Sequence, residues 1–277
     1  MGFRVSTNIA SVNAQRNLSN SQTAMQDSYA KLSSGNRINK AADDAAGLAI
    51  SENLKADIRS FRQANRNAND GISMVQVAEG GMQEISNIVT RLRELGIQAA
   101  SDTVGDRERA MIDAEVQQVK AEMQRIAVTT KWQSTNLLDG TTPVFDFQVG
   151  IHNSPEEDRI SFDSSPNNVT LDALGLGGVD YTSKEGAQES LALLDTAHDT
   201  IGAARARLGA LQNRLTSTTQ NLSIQEENYA AANSRIRDTD IANATAELTR
   251  NQVLLQAGTA TLAQANQMTG LALKLIP

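Results

Sequence analysis

Cysteine is absent from this 277-residue chain, which excludes disulfides and thiolate metal ligation. Proline is nearly absent: Pro143, Pro155, Pro166 and Pro277 are the only four. An interior proline costs a helix ~3 kcal/mol. Long helices are therefore open to residues 1–142 and 167–276, with a short non-helical middle between them. Aromatic residues make up 3% of the chain, with a single Trp, so a core has to be aliphatic and thin, as in helical bundles. The net charge of −7 argues against nucleic-acid binding, which needs a basic face. The first residues lack the apolar core of a secretory signal peptide. Met1-Gly2 with Ser6 fits the N-myristoylation pattern, a match short enough to arise by chance.

Charge is missing in two particular places. Between Val5 and Gln26 only Arg16 is charged, and from Asn251 to Leu273 nothing is. Asn, Gln, Ser and Thr take its place, breaking the apolar runs too often for a membrane span. What both stretches do have is a period of seven. At the C-terminal end it runs through Ile241, Leu248, Leu255, Leu262 and Ile276, beside a small column at Ala244, Asn251, Gly258, Ala265 and Ala272. Leu254, Met268 and Leu275 add a third column. Near the N-terminus it runs through Leu18, Met25 and Leu32, with Ile9, Val12 and Tyr29 nearby. A sustained heptad marks a helix that lies along another helix. Segments of like chemistry bury like surfaces, so residues 5–33 are expected to pair with 241–277. Such a pair has no charged face to turn to water and needs further partners.

Between these ends the pattern predicts three more helices and a hairpin. Ser33-Ser34-Gly35 stops the first helix, and Asp43-Asp44 opens the second, where acidic residues suit the positive end of the dipole. Ile50, Leu54, Ile58, Phe61, Ile72, Val75, Met82, Ile85, Val89 and Leu92 then step by three and four. The stepping crosses Asn69-Asp70-Gly71 and Gly80-Gly81, which ordinarily weaken a helix. After a polar break at 101–106, residues 107–129 form a charged amphipathic helix that packs back on its predecessor. Val144–Ile151 and Ile160–Phe162 alternate around a polar turn, predicting a small β-hairpin over about 144–163. Thr182-x-x-Glu185 reads as a capping box for a helix running to Tyr229, and Asp238-Thr239-Asp240 punctuates before the last one.

No constellation in the chain carries chemistry. His152 and His198 are far apart and outside any metal or triad spacing. Asp43 and Asp44 are adjacent on a helix start and point apart, and Asp238-x-Asp240 lacks the rest of a calcium loop. No catalytic, cofactor-binding or metal-binding residue is assigned, and an enzyme inserted in a helical scaffold is not expected.

Several stretches resemble bacterial flagellin. Leu32-Ser-Ser-Gly-Asn-Arg-Ile-Asn-Lys-Ala-Ala-Asp-Asp-Ala-Ala-Gly-Leu-Ala-Ile50 is similar to the family's N-terminal signature, and Arg66-Asn-Ala-Asn-Asp-Gly-Ile-Ser73 to a second hallmark. Val77-Ala-Glu-Gly80, Arg91-Leu-Arg-Glu-Leu95, Phe147-Gln-Val-Gly150 and Ser234-Arg-Ile-Arg-Asp-Thr-Asp-Ile-Ala242 extend the match along nearly the whole chain.

The resemblance implies a mainly α fold of long antiparallel helices. In it, residues 1–40 with 240–277 form an inner coiled-coil domain, and 41–239 form an outer helical rod carrying the hairpin. The variable outer domains of longer members are missing, because so little chain separates Phe162 from Thr182. It implies a structural subunit of the flagellar filament, exported through the flagellum's own type III apparatus without a cleaved signal. The hook–filament junction protein, which shares the terminal chemistry, is the alternative. The expected polymerisation core is Leu18, Met25, Leu32, Ile241, Leu248, Leu255, Leu262 and Ile276. Expected partners are other copies of the chain, an export chaperone on residues 241–277, and the filament cap and hook-junction proteins. Host immune receptors are further candidates, one through Arg91, Leu95 and Glu115 and another through Ala30–Ser51. Gly96 departs from the family's more usual Ala, and the final Lys274-Leu-Ile-Pro277 from its usual ending. Ser and Thr within 161–183 are candidate O-glycan sites, and Asn168-Val-Thr170 fits the N-glycan pattern weakly.

Overall fold

The computed structural model describes residues 8–141 and 144–273, with side chains described as far as Gln267. Five α-helices are present among them: α1 (Ile9–Ser34), α2 (Ala45–Ala99), α3 (Asp106–Thr129), α4 (Lys184–Arg237) and α5 (Ile241–Leu273). The strands are short: β1 (Lys131–Trp132) pairs with β2 (Thr135–Asn136), and β3 (Phe145–Gln148) with β4 (Arg159–Phe162), both antiparallel. The chain divides into two compact units. A terminal unit takes residues up to Ile58 and from Asn228 onward; a central unit is Arg59–Glu227. The divisions fall inside α2 and α4, whereas the sequence placed its domain limits in the loops at 40/41 and 239/240.

Local chemistry explains each helix end. Asn8 accepts from the Ser11 amide (3.1 Å), and Gly35 closes α1 in the left-handed region at φ 70°. Asp44 caps α2 by accepting from the Gly47 amide (2.8 Å). Its neighbour Asp43 accepts from the Lys40 and Asn39 amides, which hold its carboxyl below the usual range. At α4 the cap is Ser183, whose hydroxyl accepts from the Gly186 amide (3.1 Å). The cap therefore sits one residue beyond the capping box read from Thr182. Asp240 opens α5 by accepting from the Ala242 and Asn243 amides (2.9 and 3.2 Å).

The 55-residue helix α2 runs unbroken through its glycines because other segments lie against two of them. A Cβ on Gly71 would stand 3.2 Å from the Phe147 ring, and one on Gly81 only 2.7 Å from Thr130 and 2.8 Å from Leu138. Each glycine loosens the helix by ~1 kcal/mol but lets the following chain pack directly on it. Two stretches that resemble the family separately therefore meet in space. The Asn67 side-chain amide also donates to the Gln148 carbonyl (3.0 Å), fixing β3 on α2.

The core of the central unit is aliphatic, with Met74, Met82, Ile85, Leu92, Met123, Leu194 and Ile201 fully buried. Hairpin β3–β4 contributes Ile160 and Phe162, and Phe145 lies beside Phe162 with ring centroids 6.2 Å apart. Between β4 and α4 the chain makes only two short 3₁₀ turns, at Ser165–Asn167 and Leu176–Gly178. The 171–181 segment is bolted down through its backbone by one face of α3. Gln124 accepts from the Leu171 amide (3.0 Å), and the Lys120 ammonium donates to the Gly177 and Val179 carbonyls (2.9 and 3.0 Å). Asp113 accepts from the Tyr181 amide (3.1 Å). Burial lowers the Lys120 pKa, which Asp113 and Asp180 oppose. Arg109, also buried, closes the end of α2 by donating to the Ala99 and Ser101 carbonyls (2.9 and 3.0 Å).

Candidate assembly surface

Within the terminal unit, α1 and α5 lie antiparallel. Asn8 donates to the Ala265 carbonyl (2.8 Å), the Ser11 hydroxyl to Asn266 (2.9 Å), and the Gln252 amide to the Tyr29 hydroxyl (3.2 Å). Leu18 sits over Gly258, where a Cβ would come within 3.0 Å of its methyl group. Half-buried and buried positions in α1 follow Ser11, Ala14, Leu18, Ser21, Met25, Ser28 and Leu32. Those in α5 follow Ala244, Leu248, Asn251, Leu255, Gly258, Leu262 and Ala265. Steps of three and four alternate along both, so each helix presents one large and one small column to the other. The small column of α1 (Ala14, Ser21, Ser28) was missed in the sequence, although its spacing of seven was there to be read.

Six of the residues expected in a polymerisation core, Leu18, Met25, Leu32, Leu248, Leu255 and Leu262, are thus half-buried in the seam of one chain. Ile241 is exposed, and Ile276 lies outside the described residues. The seam leaves a second set of apolar side chains uncovered: Ile9, Val12, Tyr29, Val253 (58% exposed) and Leu254 (50%). Val253 was not singled out in the sequence, because it falls outside every heptad column. Uncovered apolar side chains on helices almost free of charge mark a protein–protein surface.

In the central unit, Arg91 and Glu115 meet across α2 and α3. The guanidinium donates to Glu115 at 2.8 Å and, one turn on, to Glu94 at 3.1 Å. Both carboxylates raise the arginine's pKa, Glu115 foremost. Leu95 is buried beside them. This is an exposed ion pair, and such pairs contribute little to stability. Arg91→Ala is expected to leave the thermal unfolding midpoint of the chain unchanged, as scanning calorimetry would show. Among the described residues no group of His, Asp and Glu is placed to hold a metal ion, and no helix is long and apolar enough to cross a membrane.

These features define an α-helical subunit whose two chain ends build a surface for association. Comparisons with known proteins agree. Residues 5–142 match the bacterial flagellin N-terminal helical region, and 191–276 the C-terminal helical region. A flagellin of Halalkalibacterium halodurans is 40% identical, over 98% of this chain and 99% of its own length. A flagellar filament core protein of Brachyspira hyodysenteriae is also 40% identical, with the same coverage. The crystal structure of a Bacillus cereus flagellin superposes with a TM-score of 0.51 at 28% identity, covering 61% of this chain and 94% of that one. The chain belongs to the bacterial flagellin family, as a short form.

Proposed function

We propose that the chain is a structural subunit that polymerises with copies of itself into the flagellar filament, the helical propeller of a swimming bacterium. The observation that carries this reading is the charge-poor α1–α5 pair with its uncovered Ile9, Val12, Val253 and Leu254. Its work is mechanical: neighbouring copies cover these side chains, and rotation of the polymer drives the cell. The flagellins and filament core proteins that match it over their full length support the same reading. Electron microscopy of the sheared, purified polymer tests it. Deleting the gene tests it against the hook–filament junction alternative. Loss of the filament supports a major subunit, whereas release of filament subunits into the medium identifies a junction protein.

In this reading the filament lies outside the cell, and the chain reaches it through type III export. Residues 1–40 with 240–277 form its inner layer, and 41–239 its outer one. An export chaperone covers α5 before assembly, cap and hook-junction proteins meet the same ends, and Arg91 with Glu115 forms a candidate surface for a host receptor, Leu95 being buried in the core instead. The ends have few partners before assembly, so amide exchange in monomer is expected to be fast over residues 1–40 and 240–277 and to slow on polymerisation. Strong protection of both ends in confirmed monomer would contradict the assignment.

A further inference from the structure

The α1–α5 seam does not define its own register. With Leu18 over Gly258, counting by sevens places Met25 opposite Asn251 and Leu32 opposite Ala244. Likewise Ser21 faces Leu255 and Ser28 faces Leu248, so every large residue faces a small one. Sliding α5 by seven residues sets Leu18 over Asn251 and Met25 over Ala244, again large on small. Polar residues recur at the linking positions too: Thr259 replaces Asn266 opposite Ser11, and Thr245 replaces Gln252 opposite Tyr29. A carbonyl of the next heptad serves Asn8 as well as that of Ala265. Such a slide moves the helices by about 10 Å at ~1.5 Å per residue and forfeits the heptad at the base of the pair, where Leu32 loses Ala244, while the rest keeps large on small.

We propose that a clasp at the base of the pair sets the register. Gly35, which closes α1, accepts from the Thr239 amide (2.9 Å), and Thr239 stands two residues before α5. The Arg37 amide donates to the Arg237 carbonyl (2.6 Å), so Asn36 and Asp238 face each other as an isolated antiparallel pair. The Arg37 guanidinium then closes over the end of α4, donating through Nε and Nη2 to the Ile236 carbonyl (3.2 and 2.7 Å). A cation there meets the unpaired carbonyls and negative dipole end of the helix. Arg237 in turn ion-pairs with Glu52 on α2. The clasp fixes the end of α1 against the start of α5, so a slide by one heptad breaks it.

Cysteine pairs test this cleanly, because the chain has none of its own. In the polymer, Leu18→Cys with Gly258→Cys reports the native register, and Leu18→Cys with Asn251→Cys the slipped one, each read as an intrachain crosslink by peptide mass mapping. With Arg37 present only the first pair is expected to crosslink. With Arg37→Ala the slipped crosslink is expected to rise about two- to tenfold, the factor that loss of such hydrogen bonds allows. An unchanged crosslink pattern in an Arg37→Ala polymer overturns the proposal. If Arg37→Ala does not polymerise, a disulfide from Asn36→Cys with Asp238→Cys restores the clasp covalently, since facing residues of a non-hydrogen-bonded antiparallel pair are within bridging distance. Restored assembly supports the proposal, and continued failure with the disulfide formed overturns it.

Discussion

Leu255→Asp is expected to abolish polymerisation while leaving the central unit folded. Leu255 is half-buried in the large column of α5, on a seam that contains no charge to pair with a carboxylate. Removing its side chain loses packing, and an unpaired charge there adds a desolvation cost. Together these reach roughly 3–5 kcal/mol, a large share of what holds two helices of this length together. The central unit should not feel the change, because its core is built from α2, α3, α4 and the hairpin. Trp132, the single Trp, packs against that core, so its fluorescence melt reports on the central unit alone. Sedimentation should find no polymer while the Trp132 melt stays in place. Normal filaments from this variant would refute the seam as the basis of assembly.

Tyr181→Ala is expected to be the most damaging single change within the central unit. The ring is fully buried and its hydroxyl donates to the Leu92 carbonyl, two turns before the end of α2 (2.8 Å). Truncation leaves a cavity and an unbonded hydroxyl partner, worth about 3–5 kcal/mol by comparison with other buried aromatics. Tyr181→Phe keeps the packing and should cost about 1–2 kcal/mol. The site also carries a pH signature. Burial, and secondly Asp113, push the phenol up to about 12 from its ordinary 10. The unfolded chain therefore ionises first, and the tyrosine's stabilisation, complete below pH 10, is lost as pH rises through about 12. Lys120 acts in the opposite sense, since its folded-state pKa is lowered and its penalty is relieved as pH approaches 10.5. Denaturant melts of Tyr181→Phe should lack the tyrosine component, and an unaltered alkaline profile would refute the assignment.

The same hydroxyl crowds any side chain at Gly96. A Cβ there would lie 3.0 Å from the Tyr181 oxygen and 3.2 Å from Leu191, so an Ala at this position requires its neighbours to shift. Nothing in the linear pattern of α2 announces this, because the partner is distant in sequence and its hydroxyl is aimed by tertiary contacts. The long helices and β3–β4 were legible because periods of 3.6, 7 and 2 are local properties of the chain. The β1–β2 pair was not: it has two residues per strand, and its turn places Gln133 at φ 54° with no glycine to signal it. Among the expected polymerisation residues, the heptad identified those that face the intrachain seam. Val253 became visible only once the seam showed which side of α5 is left uncovered.

One consequence concerns heritable variation. Asp113, Lys120 and Gln124 hold the 171–181 segment through main-chain atoms, which every residue type but proline supplies. Inside it only Leu174, Leu176, Val179 and Tyr181 are buried. Asp172, Ala173 and Gly177 face outward, and the grip of α3 does not depend on their side chains. Mutations can accumulate at these places without loosening the segment, giving the lineage a stretch of surface free to drift while the helices beneath it stay fixed.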